Sequence, residues 1–557
     1  MSSWLICSVL AILPAAPPAR VAEPQAAAPD TVVVCPATFL PALQPWVLHR
    51  QRQGHRLVHV PADGAAAAIR DEIRAVAAQG GLRAIVLVGD FRPDSSPSTD
   101  RPNPAANVGV PTFFADAKVN VKWGSEPKIA TDNWYADLDD DDLPDVAIGR
   151  IPVDTPTELS SIVARIIAYE NSRDFGPWRQ RVNFVAGVGG FGALVDTILE
   201  TATKKFLTDG IPTGYSTTMT YGSWRSPYCP DPRRFQNATL DRFNEGCLFW
   251  VYIGHGHPLQ LDRVRLPNAT YPILTVNDMA RLQSRRTPPV AVMLACYTGA
   301  FDLQRDCLAE EMLRAEGGPI AILCGTRVTM PYGMSLLAHG MLEEAFRERR
   351  ETLGEVMLNA KRRMMSAEPE DGHRQLIDAI AAAVSPSAEL LADERREHLH
   401  LFQLIGDPLL RIHQPQDAVV EIPEDVDAGS EIEIALESPI AGKGLVELVC
   451  RRDRLRADPP ARPDFERASR AFEEFDETYR QANDRRWMRE SLSWNEPGVI
   501  RAKLVIPEDA HGPCHLTLFV DGGQRHAIGA ANVFVRRYRG RPLTIGQSPN
   551  ASPPITR

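Results

Sequence analysis

Two short apolar runs, each ending abruptly in a group able to do chemistry, constrain this chain more than any other feature. CLFWVYIGHG (Cys247 to Gly256) and PPVAVMLACYTGAF (Pro288 to Phe301) read as buried strands, being short, rich in aliphatic and aromatic residues, and closed by small or polar ones. Ligands of open α/β sheets gather outside the carboxyl ends of strands, so His255 and Cys296 face one crevice if the two strands are parallel neighbours. An imidazole there accepts the thiol proton and leaves a thiolate, the attacking species of covalent acyl transfer. The competing reading is a core cysteine beside a surface histidine, because Cys is among the most buried residue types. Glycines weigh against it: Gly254 and Gly256 bracket the histidine, Gly299 follows the cysteine, and neither stretch continues a strand well.

Upstream, DTVVVCP, HRLVHVP and RAIVLVGD read as strands separated by helical patterns over 39–54 and 65–79, the third strand ending at Asp90. Strand alternating with helix predicts a parallel sheet. A helix over Thr157 to Asn171 leads to RVNFVAGVGG, which opens a second α/β unit; Gly187, Gly189, Gly190 and Gly192 lack the Lys-Ser/Thr ending of a phosphate loop. A helix is expected over Val195 to Thr208 and irregular chain over Tyr215 to Arg234. PIAILCGTRVTMPYG is a further strand, with Thr326, Arg327 and Tyr332 beyond its carboxyl end. From about Val419 short alternating segments predict a β-sandwich, interrupted by a charged stretch over 453–490 that reads as a helical excursion with a solvated face.

The resulting division is a leader and short tail (1–29), a first α/β subdomain (30–176), a catalytic α/β subdomain (177–415), the sandwich (416–540) and a C-terminal tail (541–557). The apolar run from Trp4 to Leu13, followed by Ala and Pro, reads as an export signal although it lacks a basic start, and it is too short for a membrane span. With 71 acidic against 61 Lys and Arg residues, the overall charge of -10 gives no support to nucleic-acid binding. Nine cysteines are scattered without metal-ligand spacing, so a structural zinc site is not expected; Cys450 and Cys514 flank the later domain and could bridge in an oxidising compartment.

One acidic block stands apart. In TDNWYADLDDDDLPDVAIGRIPV, Asp137, Asp139, Asp141 and Asp145 fall at positions 1, 3, 5 and 9 of a calcium-loop pattern. Asp142 stands at the position of the expected Gly and Ile148 at that of the bidentate Glu, so two readings remain: a structural calcium site, or a solvated acidic turn entering a strand.

Taken together, YIGHG, LACYTGAFD, VLVGD at Val86 to Asp90, the Asp-rich block and LIGDPLLRI at Leu404 to Ile412 resemble the gingipain-like cysteine peptidases of the caspase-like group. The resemblance covers roughly 30–412 and implies a caspase-like region of two α/β units with parallel-rich sheets, followed by an all-β immunoglobulin-like sandwich. It implies a cysteine endopeptidase with His255 and Cys296 in the dyad positions, the histidine 41 residues before the cysteine, an interval compatible with the caspase-type order. The backbone N–H groups of Gly256 and Cys296 are the expected oxyanion contacts, and His257 is the rival base. Asp132 or another acid of the first unit is expected to orient the imidazole, while Asp90, Thr326 and Arg327 are candidates for the pocket. No cofactor is needed for the chemistry. The expected partners are a protein or peptide substrate and, through the sandwich, a docking protein. Three other functions compete: a non-catalytic peptide-binding or assembly module, a sorting-signal maturation peptidase or transpeptidase, and a thiol redox enzyme.

Overall fold

The computed structural model describes residues 28–93, 108–188, 210–366, 372–385, 387–462, 465 and 469–537. The leader-like segment, Gly189, Gly190 and Gly192, the helix expected over Val195 to Thr208 and the C-terminal tail lie outside these residues.

Ten strands form one sheet: β1 (Thr31–Cys35), β2 (Leu57–Pro61), β3 (Ala84–Val88), β4 (Ala147–Ile151), β5 (Arg181–Ala186), β6 (Ser216–Tyr221), β7 (Phe249–Ile253), β8 (Val290–Leu294), β9 (Ala321–Gly325) and β10 (Phe402–Ile405). Their order is β6-β5-β7-β8-β9-β10-β4-β3-β1-β2. Strands β1, β3, β8 and β9 are buried along their whole length, as apolar runs covered on both faces must be. Helices α1 (Leu40–Arg52), α2 (Ala66–Ala77) and α3 (Pro156–Glu170) belong to the first unit. The last begins with a capping box in which Thr155 and Glu158 satisfy each other's backbone amides.

The two units share this sheet rather than building two. Strand β10, from the LIGDPLLRI block, runs antiparallel to β9 (Ile322 opposite Ile405) and parallel to β4 through Ile405 and Arg150. The β10–β4 contact is a single residue pair, and the carboxyl end of β4 lies beside the loop after Cys296, the Arg150 guanidinium 4.8 Å from the Phe301 ring centroid.

Residues 215–234 are not wholly irregular: Ser216–Tyr221 is the edge strand β6, parallel to β5. Its sequence STTMTY carries no apolar run, because its outer side is covered by another part of the chain. The cover is the charged excursion, docked by its apolar face while Glu473, Glu474, Glu477 and Arg480 keep the other face in solvent as expected. Helix Ser469–Asn483 presents Phe472, Phe475 and Tyr479 as buried side chains, and the Tyr479 hydroxyl lies 2.8 Å from that of Thr220. Asn483 Oδ1 accepts the Met219 N–H at 2.8 Å while its amide donates to the Met219 carbonyl at 3.0 Å, as a neighbouring strand would. Arg485 donates to the Thr217 carbonyl at 2.7 Å, and Arg452 to the carbonyls of Pro212 and Tyr215, each at 2.6 Å. An edge strand is a template for unwanted pairing, and these side chains close it. Asn483→Ala is expected to speed hydrogen exchange at the Met219 amide and to destabilise the sheet edge by about 1–3 kcal/mol; exchange measured by mass spectrometry at β6 tests it, and unchanged protection there would refute the role.

The C-terminal region is a β-sandwich. Its three-stranded sheet includes Glu431–Ser438 and Gly498–Val505, and its larger sheet includes Gly442–Cys450, Arg486–Trp494, Gly512–Asp521 and His526–Arg536. Ile434, Leu436 and Leu504 from one face and Val446, Leu448, Leu516, Leu518 and Val533 from the other fill the core. Cys450 and Cys514 are direct cross-strand partners and both are free, buried thiols.

Candidate active site

Strands β7 and β8 are parallel neighbours in register, Phe249 opposite Val290 through Ile253 opposite Leu294. His255 and Cys296 each stand two residues beyond the last paired residue of their strand, so they leave the sheet side by side at one edge. Both are partly exposed.

The loops that carry them are locked together through the backbone. A Cβ on Gly256 would lie 2.4 Å from the Cys296 carbonyl oxygen and 2.9 Å from Ala295 Cβ, so only glycine permits this approach. Gly254, at φ +154°, would meet the Tyr252 hydroxyl at 2.7 Å if it bore a Cβ, and its N–H donates to the Leu294 carbonyl at 3.3 Å. The fully buried Tyr252 donates its hydroxyl proton to the His255 carbonyl at 2.8 Å and accepts the Asp262 N–H at 3.2 Å. Tyr297, immediately after Cys296, is held at φ +58°, a conformation that costs a non-glycine residue roughly 1–2 kcal/mol. It is pinned by its N–H to the Arg327 carbonyl (3.1 Å) and by its hydroxyl to Glu126 (2.8 Å). His257 is exposed within a tight hairpin, where its Nδ1 accepts the Leu259 N–H at 3.4 Å.

The sulfur of Cys296 is held by Thr329. Thr329 donates its N–H to Sγ at 3.3 Å, and its carbonyl and hydroxyl oxygens both lie 3.6 Å away. This contact had no signal in the sequence, since Thr329 lies in an unpatterned loop after β9.

The other site candidates are dispersed. Thr326, expected at the pocket, is fully buried, its hydroxyl donating to the Ala130 carbonyl at 3.0 Å. Arg327 is 5 % exposed and clamped by Asp302 at 2.8 and 2.6 Å, with Glu126 at 3.6 Å, so its charge is countered from two sides. Asp132, expected as the orienting acid, is engaged by the buried Arg150, Nε to Oδ2 and Nη2 to Oδ1 both at 2.7 Å, with the Thr112 hydroxyl donating to Oδ1 at 2.8 Å. Glu126 reaches Tyr297 on a ribbon of the first unit, Phe113–Asp116 paired with Lys128–Thr131, which the sequence reading did not mark.

Asp90 belongs to a different acidic group. Carboxylate oxygens of Asp90, Asp154 and Asp306 lie within 4.8 Å of one another, countered by Arg314 at 3.0 Å from Asp154 and 2.6 Å from Asp306. Beside them Glu310, 1 % exposed, accepts the Cys307 N–H at 2.8 Å through Oε2, and its side chain is hydrogen-bonded to Asp90. Burial first and the neighbouring Asp90 second push the Glu310 carboxyl far above the usual range, and burial raises that of Asp90 as well.

In the Asp-rich block, oxygens of Asp137, Asp139 and Asp145 come within 4.8 Å, and Asp141 is not among them: its Oδ1 caps the Leu143 N–H at 2.8 Å. Asp137 already accepts the amides of Asp140 (2.8 Å), Asp141 (3.3 Å) and Asp142 (3.2 Å), and Asp145 accepts that of Leu138 at 2.7 Å. Asp142, where a calcium loop has Gly, takes the left-handed conformation at φ +72°.

Residues 25–413 match the family model for peptidase family C25. The chain belongs to that family. This C25 chain is 22% identical over 290 residues to Lys-gingipain W83 of Porphyromonas gingivalis, covering 51% of this chain and 15% of that protein. It is likewise 22% identical over 289 residues to a second Lys-gingipain of the same species, at the same shares of 51% and 15%. It therefore spans only about 15% of the length of the curated relatives it matches. Among solved structures, the Arg-specific cysteine proteinase gingipain R superposes with a TM-score of 0.49 at 17% identity, covering 92% of this chain and 99% of that one. A complex of the RgpB pro- and mature domains gives a TM-score of 0.48 at 17% identity, covering 91% and 100%. Among the described residues no helix is long and apolar enough to cross a membrane.

Proposed function

We propose that this C25 chain is an exported cysteine endopeptidase in which Cys296 is the nucleophile and His255 the general base and acid. The observation that supports it most is the register of β7 and β8, which ends both strands at one level with a thiol and an imidazole two residues beyond. Export rests on the apolar run from Trp4 to Leu13.

The chemistry follows from the groups at hand. The imidazole takes the thiol proton, and the thiolate attacks the scissile carbonyl carbon. The N–H groups of Gly256 and Cys296 receive the developing oxyanion, and the imidazolium protonates the departing amine. Water then hydrolyses the thioester. The hydrogen bonds from Tyr252 and Asp262 to the His255 carbonyl fix the backbone that carries the base. With Arg327 countered by Asp302 and Glu126, the crevice favours a neutral or basic side chain next to the cut over an acidic one. The name of the Lys-gingipain relatives points the same way.

Labelling tests the reading. A thiol-reactive peptidyl acylating agent is expected to modify Cys296 in the purified protein, and His255→Ala is expected to suppress that modification. Labelling indifferent to His255 would remove the dyad, and wild-type protein that takes the label yet cleaves no peptide in a mixed library would leave a binding module.

The acidic groups also support a structural divalent cation such as calcium, held by hard oxygen ligands. Asp90, Asp154 and Asp306 form one candidate, with carboxylate oxygens within 4.8 Å of one another, and Asp137, Asp139 and Asp145 form the other, although the Asp137 oxygens already accept amides. A bound cation would neutralise facing carboxylates and tie the segment after Cys296 to the first unit. Calcium at 100 times its Kd is expected to stabilise the protein by about 2.7 kcal/mol. Thermal unfolding with calcium or chelator checks this, and a shift that persists in Asp154→Asn would exclude the Asp90 group.

A further inference from the structure

We propose that Thr329 is a further catalytic residue, its backbone N–H and side-chain hydroxyl together stabilising the Cys296 thiolate. The inference rests on the reading of Cys296 as the nucleophile and adds a second source of stabilisation to the imidazole.

Thr329 is 5 % exposed, so its donors act on the sulfur without competing water. The amide N–H already points at Sγ from 3.3 Å. The hydroxyl has two soft acceptors within reach, Met334 Sδ at 3.2 Å, to which it donates, and Cys296 Sγ at 3.6 Å. In the thiol state the S–H proton can point to the Thr329 carbonyl or hydroxyl oxygen, and the hydroxyl proton stays on Met334. On ionisation the S–H bond breaks, its electron pair remains on sulfur and the proton passes to the His255 imidazole. The hydroxyl then turns its proton from Met334 to the thiolate, adding a second donor to the amide N–H already in place.

The loop is built to hold that position. Thr329 leads into helix α4 (Pro331–Leu342), whose first turn is fixed by the Gly333 N–H donating to the buried Glu394 carboxylate at 3.0 Å. The neighbouring Met330 N–H donates to His398 Nε2 at 3.1 Å, and His398 Nδ1–H donates to the Glu394 carbonyl at 2.7 Å. Burial pushes His398 down to about 4, so above that pH its Nε2 remains an acceptor and the loop stays fixed. The other titratable or charged groups around the sulfur are His255 and Tyr252 from β7 and its loop, Tyr297 after β8, Arg327 with Asp302 and Glu126, and Glu394 behind His398.

The test is the pH dependence of Cys296 alkylation by iodoacetamide in the full-length protein, with the site read by peptide mapping and folding checked by circular dichroism. Thr329→Val, which keeps shape and amide but removes the hydroxyl, is expected to slow alkylation at pH 6 about tenfold, equivalent to a one-unit rise in thiol pKa, and to match wild type at high pH. Thr329→Ser is expected to remain within about twofold of wild type. Met334→Leu, which removes the competing acceptor, is expected to move the profile the other way. A Thr329→Val profile that superimposes on wild type, or one slowed equally at every pH, would overturn the proposal; if that variant does not fold, an unmoved or alkaline-shifted Met334→Leu profile would do so. Peptide hydrolysis separates the two readings: absent hydrolysis in wild type with shifted profiles defeats the peptidase, whereas hydrolysis with unmoved profiles defeats Thr329.

Discussion

Cys296→Ala is expected to lower kcat/KM for peptide substrates by at least about 10,000-fold while leaving the fold intact. Removing a nucleophile eliminates the covalent route outright, and what remains is the residual effect of binding and oxyanion contacts. The fold should survive because Cys296 is partly exposed, at the crevice rather than in the core. His255→Ala should cost a comparable factor, and the double variant little more than either alone, since the two groups act as a unit. Steady-state kinetics on the best peptide from a library decides it. Residual activity in Cys296→Ala within about tenfold of wild type would place the nucleophile elsewhere.

The second large effect concerns stability. Arg150→Met is expected to destabilise the catalytic region by about 3–5 kcal/mol, because it strands the carboxylate of Asp132 in a site without solvent. Arg150 is fully buried and Asp132 is 2 % exposed, and the guanidinium also donates to the Val110 carbonyl at 2.9 Å, so one side chain organises the end of β4 and the chain before the ribbon. Asp132→Asn should be damaging for the opposite reason, leaving an unpaired buried cation. The double variant should recover part of the loss, as coupled partners do. Denaturant unfolding followed by near-ultraviolet circular dichroism measures all three, and single variants within about 1 kcal/mol of wild type would show the pair to be dispensable.

Much of the crevice was legible because β7 and β8 announce themselves twice, by apolar runs and by the glycines that end them. Two parallel neighbours then follow from topology, and with them the common level of His255 and Cys296. What was illegible depended on other parts of the chain. Strand β6 carries no apolar run because helix Ser469–Asn483, more than 240 residues away, supplies its cover. The position of β10 between the two units rests on a pairing that no local pattern encodes. Thr326 and Arg327 were rightly put after a strand, but not how the chain then turns: one hydroxyl faces inward to Ala130, and the guanidinium meets Asp302. The calcium pattern counted carboxylates without knowing which already accept backbone amides.

Strand β10 carries one more consequence. It is the last element of the ten-stranded sheet to be synthesised and lies near its middle, so neither half has its inner neighbour until residue 405 has left the ribosome. Nascent chains at roughly 5–20 residues per second must carry two open sheet edges for many seconds before they can be joined.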